Sequence, residues 1–488
     1  MHSEKTKKRR VELLKKLQSY SKINSALIKD NLNFFKSFDL FYSKSPKFSK
    51  EDIRKIWEKH LADRQKSKSP DSLTLYVHNP FCAQRCNFCC YNSNQYNRQN
   101  ARRYLDSIFG DCDYFKKTFA AHQFDSVYFG GGTPNILKTG EIDALFSKLF
   151  SIFKIKKGAE RKIECNPIFS SREKLRIFKK YGFNRISFGV QSLDDKVLNL
   201  ANRAYQKYEH VKKALRDCRD LGFEDVNIDL MFGLEGDNND KFLESFDKAL
   251  SLKPYSLIVY KLIPTKTFYD AFLSASAAPQ KFISEPEKLF GRMYDLKIIF
   301  KKMAKIARKY GYLFINENMN FQSDNMGIAF RSRASAEKFD AEKISYSFFT
   351  NGAHSCFGLG LYSQSHVFGK AFYKDMNQEF DLNMDKKNYT GNTITLNREI
   401  LFEMAEQIKS AGCVDIKKIN SSCNVDFINY FKEAISDLNA LNSIEMKNNK
   451  MHFIGKRIKV AESLLFFLKP SLLRVFLSVY SSNRLGKF

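Results

Sequence analysis

The stretch Leu75-Tyr-Val-His-Asn-Pro-Phe-Cys82-Ala-Gln-Arg-Cys86-Asn-Phe-Cys89-Cys90 crowds four cysteines directly after a short apolar run. Three of them follow the spacing Cys-x3-Cys-x2-Cys. A tight loop of this length can direct three thiolates at one point, and thiolates are soft ligands suited to iron–sulfur clusters. Three ligands on a four-iron cluster leave one iron open to a chelating substrate. We therefore predict that Cys82, Cys86 and Cys89 hold a [4Fe–4S] cluster.

Other interpretations of the cysteine loop fit the spacing less well. A structural zinc site usually takes four protein ligands in two separated pairs, and no second pair follows at a suitable distance. A redox Cys-x-x-Cys motif needs no third cysteine. Cys90 directly follows Cys89, and neighbouring side chains on an extended loop diverge, so we do not expect Cys90 to be a ligand. The six other cysteines are expected to be small core residues: Cys112, Cys165, Cys218, Cys356, Cys413 and Cys423.

Short β-branched and aromatic runs alternate with amphipathic stretches from Leu73 onward. The predicted strands are 73–78, 126–129, 162–165, 185–190, 226–231 and 256–262, and the predicted helices between them lie near 100–119, 140–153, 171–181, 207–221 and 238–251. This alternation is typical of parallel strands with right-handed crossovers. Six such units predict a partial barrel or a strongly curved open sheet, in which ligands bind at the carboxyl ends of the strands.

Glycines and polar side chains stand where these strands end. Gly130-Gly-Gly-Thr133-Pro ends the second strand, and consecutive glycines let the backbone approach a ligand closely. Glu164, Gln191 and Asp229 lie at later strand ends, and a carboxylate in an apolar strand needs a partner or a ligand. These side chains suit the hydroxyls and amine of S-adenosylmethionine (SAM). Arg203 suits its carboxylate, and a structural ion pair or cap is the alternative role for each.

Length and charge bound the organisation of the chain. With 488 residues and 43% hydrophobic residues we expect two or three folded units. The net charge of +28 fits either an acidic partner or lysine used as a solubilising residue. No apolar run follows the basic N-terminus, and no stretch of 18 uncharged apolar residues occurs, so we expect a cytoplasmic chain without a transmembrane segment.

The expected division of the chain has three parts. Residues 1–70 are predicted to form a basic, helical extension outside the core, and 71–330 the α/β core. Residues 331–488 are predicted to form a smaller, mostly helical, winged-helix-like domain with a short hairpin at 444–453. A long helical stretch is expected over roughly 284–310.

The motifs together resemble those of the radical SAM family of oxygen-independent coproporphyrinogen III oxidase. The matching pieces are Tyr76-Val-His-Asn-Pro-Phe-Cys-x3-Cys-x-Phe-Cys89, Gly130-Gly-Gly-Thr-Pro134, Glu164, Asn184-Arg-Ile-Ser-Phe-Gly-Val-Gln-Ser192, Arg203 and Asn227-Ile-Asp-Leu-Met-Phe-Gly-Leu234. The resemblance is close over residues 73–265 and weaker beyond. It implies a partial (β/α)6 radical SAM barrel followed by that family's C-terminal domain.

The resemblance also implies roles for single residues. Cys82, Cys86 and Cys89 would bind the cluster, and the amino and carboxylate groups of SAM would chelate its open iron. Gly131, Gly132 and Thr133 would contact the methionine part, whereas Glu164, Gln191, Arg203 and Asp229 would hold the rest of SAM, with Tyr76 and Phe88 packed nearby. One SAM, or a second beside it, would be bound, and a flavodoxin or ferredoxin would supply electrons to a monomeric enzyme.

Three functions remain open within this resemblance. In the oxidase a 5′-deoxyadenosyl radical takes hydrogen from a propionate side chain and carbon dioxide leaves. Methyltransferase relatives transfer a methyl group from a second SAM, and a third branch binds haem as a chaperone. The His-Asn-x-x-Tyr-Trp haem motif of that branch is missing here. A small-molecule substrate is expected rather than a nucleic acid, because no basic patch with interleaved aromatic residues stands out near the strand ends.

Overall fold

The computed structural model describes ten stretches of the chain. They are residues 47–66, 72–89, 91, 93–262, 296–314, 328–332, 355–376, 388–411, 413–440 and 442–454. The basic N-terminal segment and Cys90 lie outside these described residues, as does the first part of the helix expected over 284–310.

Six parallel strands form the centre of the molecule, in the spatial order β2-β5-β6-β7-β8-β9. The six are β2 (Leu73–Asn79), β5 (Gln123–Gly131), β6 (Lys154–Cys165), β7 (Arg185–Gln191), β8 (Asp225–Phe232) and β9 (Ser256–Lys261). Between β2 and β5 the chain forms a separate pair of short strands, β3 (Phe81–Cys82) and β4 (Asn94–Gln95). Spatial neighbours in this order are also consecutive βα units along the chain, the usual arrangement for parallel strands joined by helices. The six predicted strands and their parallel order are confirmed.

Helices connect the parallel strands and cover one face of the sheet. Preceded by α1 (Lys50–Lys66), they are α2 (Arg98–Phe119), α3 (Thr139–Ile152), α4 (Arg172–Lys180), α5 (Asp195–Leu200), α6 (Tyr208–Asp220), α7 (Asn239–Ser251) and α8 (Leu296–Lys309). Alternate strand residues such as Val77, Val127 and Ile186 are buried in one core with these helices. Because side chains alternate along a strand, the residues between them lie on the opposite face.

Further strands on both sides extend the sheet to 13 strands, and all but one of their pairings are antiparallel. One side carries β10 (Tyr312–Phe314) and β11 (Ile328–Ser332), and the other carries β12 (Ser355–Leu359), β13 (Gln364–Val367), β14 (Ala371–Asp375), β15 (Asn388–Thr393) and finally β1 (Lys47–Ser49). Strand β12 pairs with β2 in parallel. The sheet therefore continues past residue 330, where the sequence placed a domain boundary.

Helix α1 belongs to the main core, although the sequence predicted an extension outside it. Ile53, Trp57 and Leu61 repeat every four residues, so they share one side of the helix. All three are buried in the main core, and the indole Nε1 of Trp57 donates a hydrogen bond of 2.7 Å to Tyr373 Oη. The charged residues around this apolar stripe made the segment resemble a solvated helix.

A second core lies near the C-terminus. It is built on α9 (Leu396–Ala411), β16 (Cys413–Asp415), α10 (Ile416–Cys423), α11 (Phe427–Tyr430), α12 (Lys432–Ala440), β17 (Ile444–Lys447) and β18 (Lys450–Phe453). Strands β17 and β18 form the predicted hairpin, and β16 pairs with β18. The separate core is consistent with a small C-terminal unit, whose winged-helix-like character and boundaries stay a prediction.

None of the helices within the described stretches combines the length and apolar composition that crossing a membrane requires.

Candidate functional site

The cysteine loop leaves the carboxyl end of β2 and is held by short backbone contacts. Strand β3 pairs with β4, and the amide of Tyr96 donates to Cys82 O over 2.9 Å. The amide of Cys89 closes a turn on Cys86 O over 3.1 Å. These three cysteines are partly exposed and form no disulfide, whereas the six scattered cysteines are all buried, as predicted. Among the described cysteines, those of the loop are therefore the ones that a ligand could reach.

The glycine-rich segment after β5 packs directly on the cysteine loop. The amide of Gly132 donates to Asn79 O, and the amide of Thr133 donates to Phe81 O, both over 2.7 Å. The Thr133 hydroxyl donates a hydrogen bond of 3.4 Å to Cys82 Sγ. A Cβ atom on Gly132 would stand 2.5 Å from Phe81 O, closer than real Cβ atoms come. The second motif of the sequence thus forms a wall of the cysteine loop.

Arg203 reaches the same loop from the segment after α5. Its Nη1 donates to Cys86 Sγ over 3.3 Å, and its Nη2 donates to Gly189 O and Gln206 Oε1 over 2.7 and 2.8 Å. The side chain is 7% exposed. Its Nε is buried without a partner among the described residues, which leaves this N–H of the guanidinium available to a ligand.

Tyr76, Tyr128 and Glu164 lie together on the face of the sheet opposite the helices. Tyr76 is in register with Tyr128, and their ring centroids are 5.3 Å apart. The Tyr128 hydroxyl donates to Glu164 Oε1, and the Tyr76 hydroxyl shares a hydrogen bond of 2.7 Å with His78 Nδ1. Burial raises the pKa of both tyrosines well above the ordinary value, so both hydroxyls stay protonated donors.

Asp229 occupies the same face on β8. Its carboxylate accepts from Ser187 Oγ over 2.8 Å and from Asn227 Nδ2 over 2.7 Å. Burial raises the pKa of Asp229 to about 6, while the nearby Lys162 ammonium and these hydrogen bonds act in the opposite direction. We call the set Tyr76, Tyr128, Glu164, Ser187, Asn227 and Asp229 the polar face.

Gln191 ends β7 in a strained backbone conformation. Its φ angle is 70°, and the pairing of β7 with β8 shifts register between Gly189 and Gln191, as at a β-bulge. A non-glycine residue in this region is uncommon and often marks a functional site. The Gln191 Oε1 atom is buried and has no hydrogen-bond partner within the described part of the chain.

The donor set suits a cluster and SAM. Partly exposed thiols provide soft ligands, and Gln191 Oε1 and Arg203 Nε are buried polar atoms that await a partner. In the described stretches, no three His, Cys, Asp or Glu side chains group as ligands of a single metal ion. A four-iron cluster binds each cysteine through a different iron, so its ligands surround a larger body.

Phe88 packs against an apolar group of Val197, Leu234 and Leu262, and its expected place beside SAM stays a prediction. Ser187 and Asn227 were missed, although their position two residues from Gly189 and Asp229 on the same strands puts them on one face. Strand alternation could have identified both.

Comparison with protein families defines the class of this domain. The model of the radical SAM superfamily matches residues 76–249, which include the cysteine loop, the glycine-rich segment and the polar face. Residues 76–249 thus match the radical SAM class, which implies a [4Fe–4S] cluster and SAM.

Particular relatives narrow the resemblance. The chain is 27% identical to oxygen-independent coproporphyrinogen III oxidase from Synechocystis, over 76% of this chain and 78% of the relative. It is 33% identical to the haem chaperone HemW from Bacillus subtilis, over 47% of this chain and 59% of the relative. The solved coproporphyrinogen III oxidase from Escherichia coli superposes with a TM-score of 0.64 at 21% identity, covering 86% and 93% of the two chains. The predicted family resemblance and the α/β fold class are thus confirmed, whereas the winged-helix-like C-terminal domain stays a prediction.

Proposed function

We propose that this chain is a radical SAM enzyme whose cluster is held by Cys82, Cys86 and Cys89. The observation that carries the proposal is the set of contacts on two of these sulfurs: Thr133 approaches Cys82, and Arg203 approaches Cys86. Thr133 follows β5 and Arg203 lies after β7, so the polar carboxyl ends of two different strands converge on the reachable thiols.

When bound, the cluster and SAM would supply one-electron reductive cleavage of the sulfonium bond to C5′, which would release methionine and a 5′-deoxyadenosyl radical that takes a hydrogen atom from the substrate. The protein's part is positioning. The close packing of Gly131 and Gly132 lets backbone groups face the methionine part of SAM. Glu164, Gln191 and Asp229 accept from its hydroxyls and amine, and Arg203 Nε is the donor left for its carboxylate.

We propose a carboxylate-bearing, tetrapyrrole-like substrate and an electron-donor protein of flavodoxin or ferredoxin type. The names of the oxidase relatives, which align over three quarters of this chain, support the substrate class. The net charge of +28 is compatible with an acidic substrate and an acidic donor. Haem delivery is a second candidate, supported by the 33% identity to the haem chaperone.

A product assay separates these functions. The cluster is reconstituted without oxygen, and the protein is incubated with SAM, dithionite and coproporphyrinogen III. We expect 5′-deoxyadenosine together with carbon dioxide from the propionates. S-adenosylhomocysteine beside 5′-deoxyadenosine would instead indicate methyl transfer. Tight haem binding without 5′-deoxyadenosine would contradict the proposal in favour of the chaperone.

A further inference from the structure

A turn at residues 200–203 is tied to the cysteine loop by reciprocal hydrogen bonds. Each segment donates amide side chains to the backbone of the other: Asn87 Nδ2 to Leu200 O (2.7 Å), Gln84 Nε2 to Asn202 O (2.6 Å) and Asn202 Nδ2 to Arg85 O (2.8 Å). The amide of Asn87 adds a bond of 3.3 Å to Ala201 O. The turn and the loop are 117 residues apart at Cys86 and Arg203, so the contact is a tertiary one.

Arg203 closes this turn and anchors it to the central sheet. Its Nη2 donates to Gly189 O, and its partner Gln206 donates to Val190 O over 2.7 Å. The other terminal nitrogen, Nη1, donates to Cys86 Sγ. One buried guanidinium thus joins the end of β7 to a sulfur of the cysteine loop.

A cationic donor on a ligand sulfur has a defined electrostatic effect. Reduction adds one negative charge to an iron–sulfur cluster, and hydrogen bonds to the sulfurs help to set its reduction potential. A guanidinium is always charged, and it stabilises the reduced form more than the oxidised form. The backbone bonds of the turn hold the loop in the place where this contact forms.

We infer that Asn87, Asn202 and Arg203 are positioning residues of the cluster. Asn87 and Asn202 fix the cysteine loop against the 200–203 turn and slow loss of iron, and the Arg203 N–H bond to Cys86 raises the reduction potential. This inference rests on the proposed function, because it needs a cluster on the three cysteines.

Three variants and one matched control test it on the reconstituted full chain without SAM, so that a role of Arg203 in SAM binding does not affect the result. Asn202→Gly keeps a left-handed backbone position, where φ is 58°, and deletes the side chain. Asn87→Ala removes the bond to Leu200. Arg203→Gln removes the positive charge and the guanidinium donors. Asn199→Ala alters an exposed residue of the same segment for which no side-chain hydrogen bond is described.

We expect Asn202→Gly and Asn87→Ala to lose iron to excess EDTA about tenfold faster than wild type and Asn199→Ala. Arg203→Gln should lower the equilibrium constant for one-electron reduction of the cluster about tenfold, which is about 59 mV, in an EPR-monitored titration. Circular dichroism checks folding, and the partly exposed Asn87 provides a result if another variant misfolds.

The two possible failures are distinguishable. A wild-type chain that assembles no cluster under these conditions would contradict the proposed function itself. A wild-type chain with a stable cluster, and variants that match Asn199→Ala in both iron loss and potential, would overturn the inference and leave the proposed function in place.

Discussion

Asp229 carries a carboxyl group whose charge is costly in its surroundings. It is half-buried on the polar face, where the charged groups near it are Lys162 and Glu164 and the hydrogen-bond donors are Ser187 and Asn227. With a pKa of about 6, the folded protein holds a proton here at a pH where the unfolded chain has lost it. Lowering the pH through 6 therefore favours the fold at this residue, but removes the charge that binding of hydroxyls or an amine would use.

We predict that SAM affinity weakens on acidification partly through Asp229. Below pH 6 the contribution of this carboxylate should fall by up to about tenfold per pH unit. Asp229→Asn should bind SAM more weakly at pH 7, and its affinity should approach that of wild type at pH 5. Equilibrium dialysis of both proteins from pH 5 to 8 measures the ratio. A ratio that stays constant over this range would exclude Asp229 as the titrating group.

Cys86 and Cys423 offer a matched pair of single substitutions. Cys86→Ala removes a proposed cluster ligand, so we expect it to abolish stoichiometric iron and the brown absorbance after reconstitution. Cys423→Ala changes a cysteine buried in the C-terminal core and should keep both. Iron analysis and visible spectra provide the measurement. Full wild-type iron in Cys86→Ala would disprove the ligand assignment.

At the scale of elements, the glycine-rich segment after β5 packs so closely against its neighbours that a side chain would not fit there. Gly131 has a φ angle of 103°, and a Cβ atom there would lie 2.6 Å from Asn79 O. We predict that Gly131→Ala destabilises the contact with the cysteine loop and weakens SAM binding at least about tenfold. Gly140→Ala is the control, because a Cβ atom there meets nothing within 4 Å. Equal SAM affinity in the two variants, measured by dialysis, would contradict this packing account.

Helix α1 gives a second test at this scale. Trp57 is fully buried, and its ring centroid lies 5.3 Å from that of Phe119 and 5.5 Å from that of Phe357. We predict that Trp57→Ala lowers the free energy of unfolding by about 3–5 kcal/mol. Trp57→Phe should cost less, since it loses mainly the bond to Tyr373. Urea denaturation followed by circular dichroism measures both, and an unchanged midpoint in Trp57→Ala would show that α1 lies outside the core.

At the scale of the whole molecule, short sequence patterns predicted the features that depend on residues close together in the chain. The six parallel strands follow from their apolar runs, and the reachable cysteines follow from their spacing. The pairing of β1 with β15 was not predictable, because Lys47 and Thr390 meet only through the completed sheet. The same holds for the bond between Asn87 and Leu200, since two polar loop residues far apart in sequence show no periodic signal.

Electron paramagnetic resonance of the reduced, reconstituted chain, recorded before and after addition of SAM, tests the central claim most directly. We predict the spectrum of a [4Fe–4S]⁺ cluster that changes when SAM is added, since its amino and carboxylate groups would occupy the iron without a cysteine ligand. A chain purified without oxygen that carries stoichiometric zinc, and whose spectrum does not respond to SAM, would contradict the account.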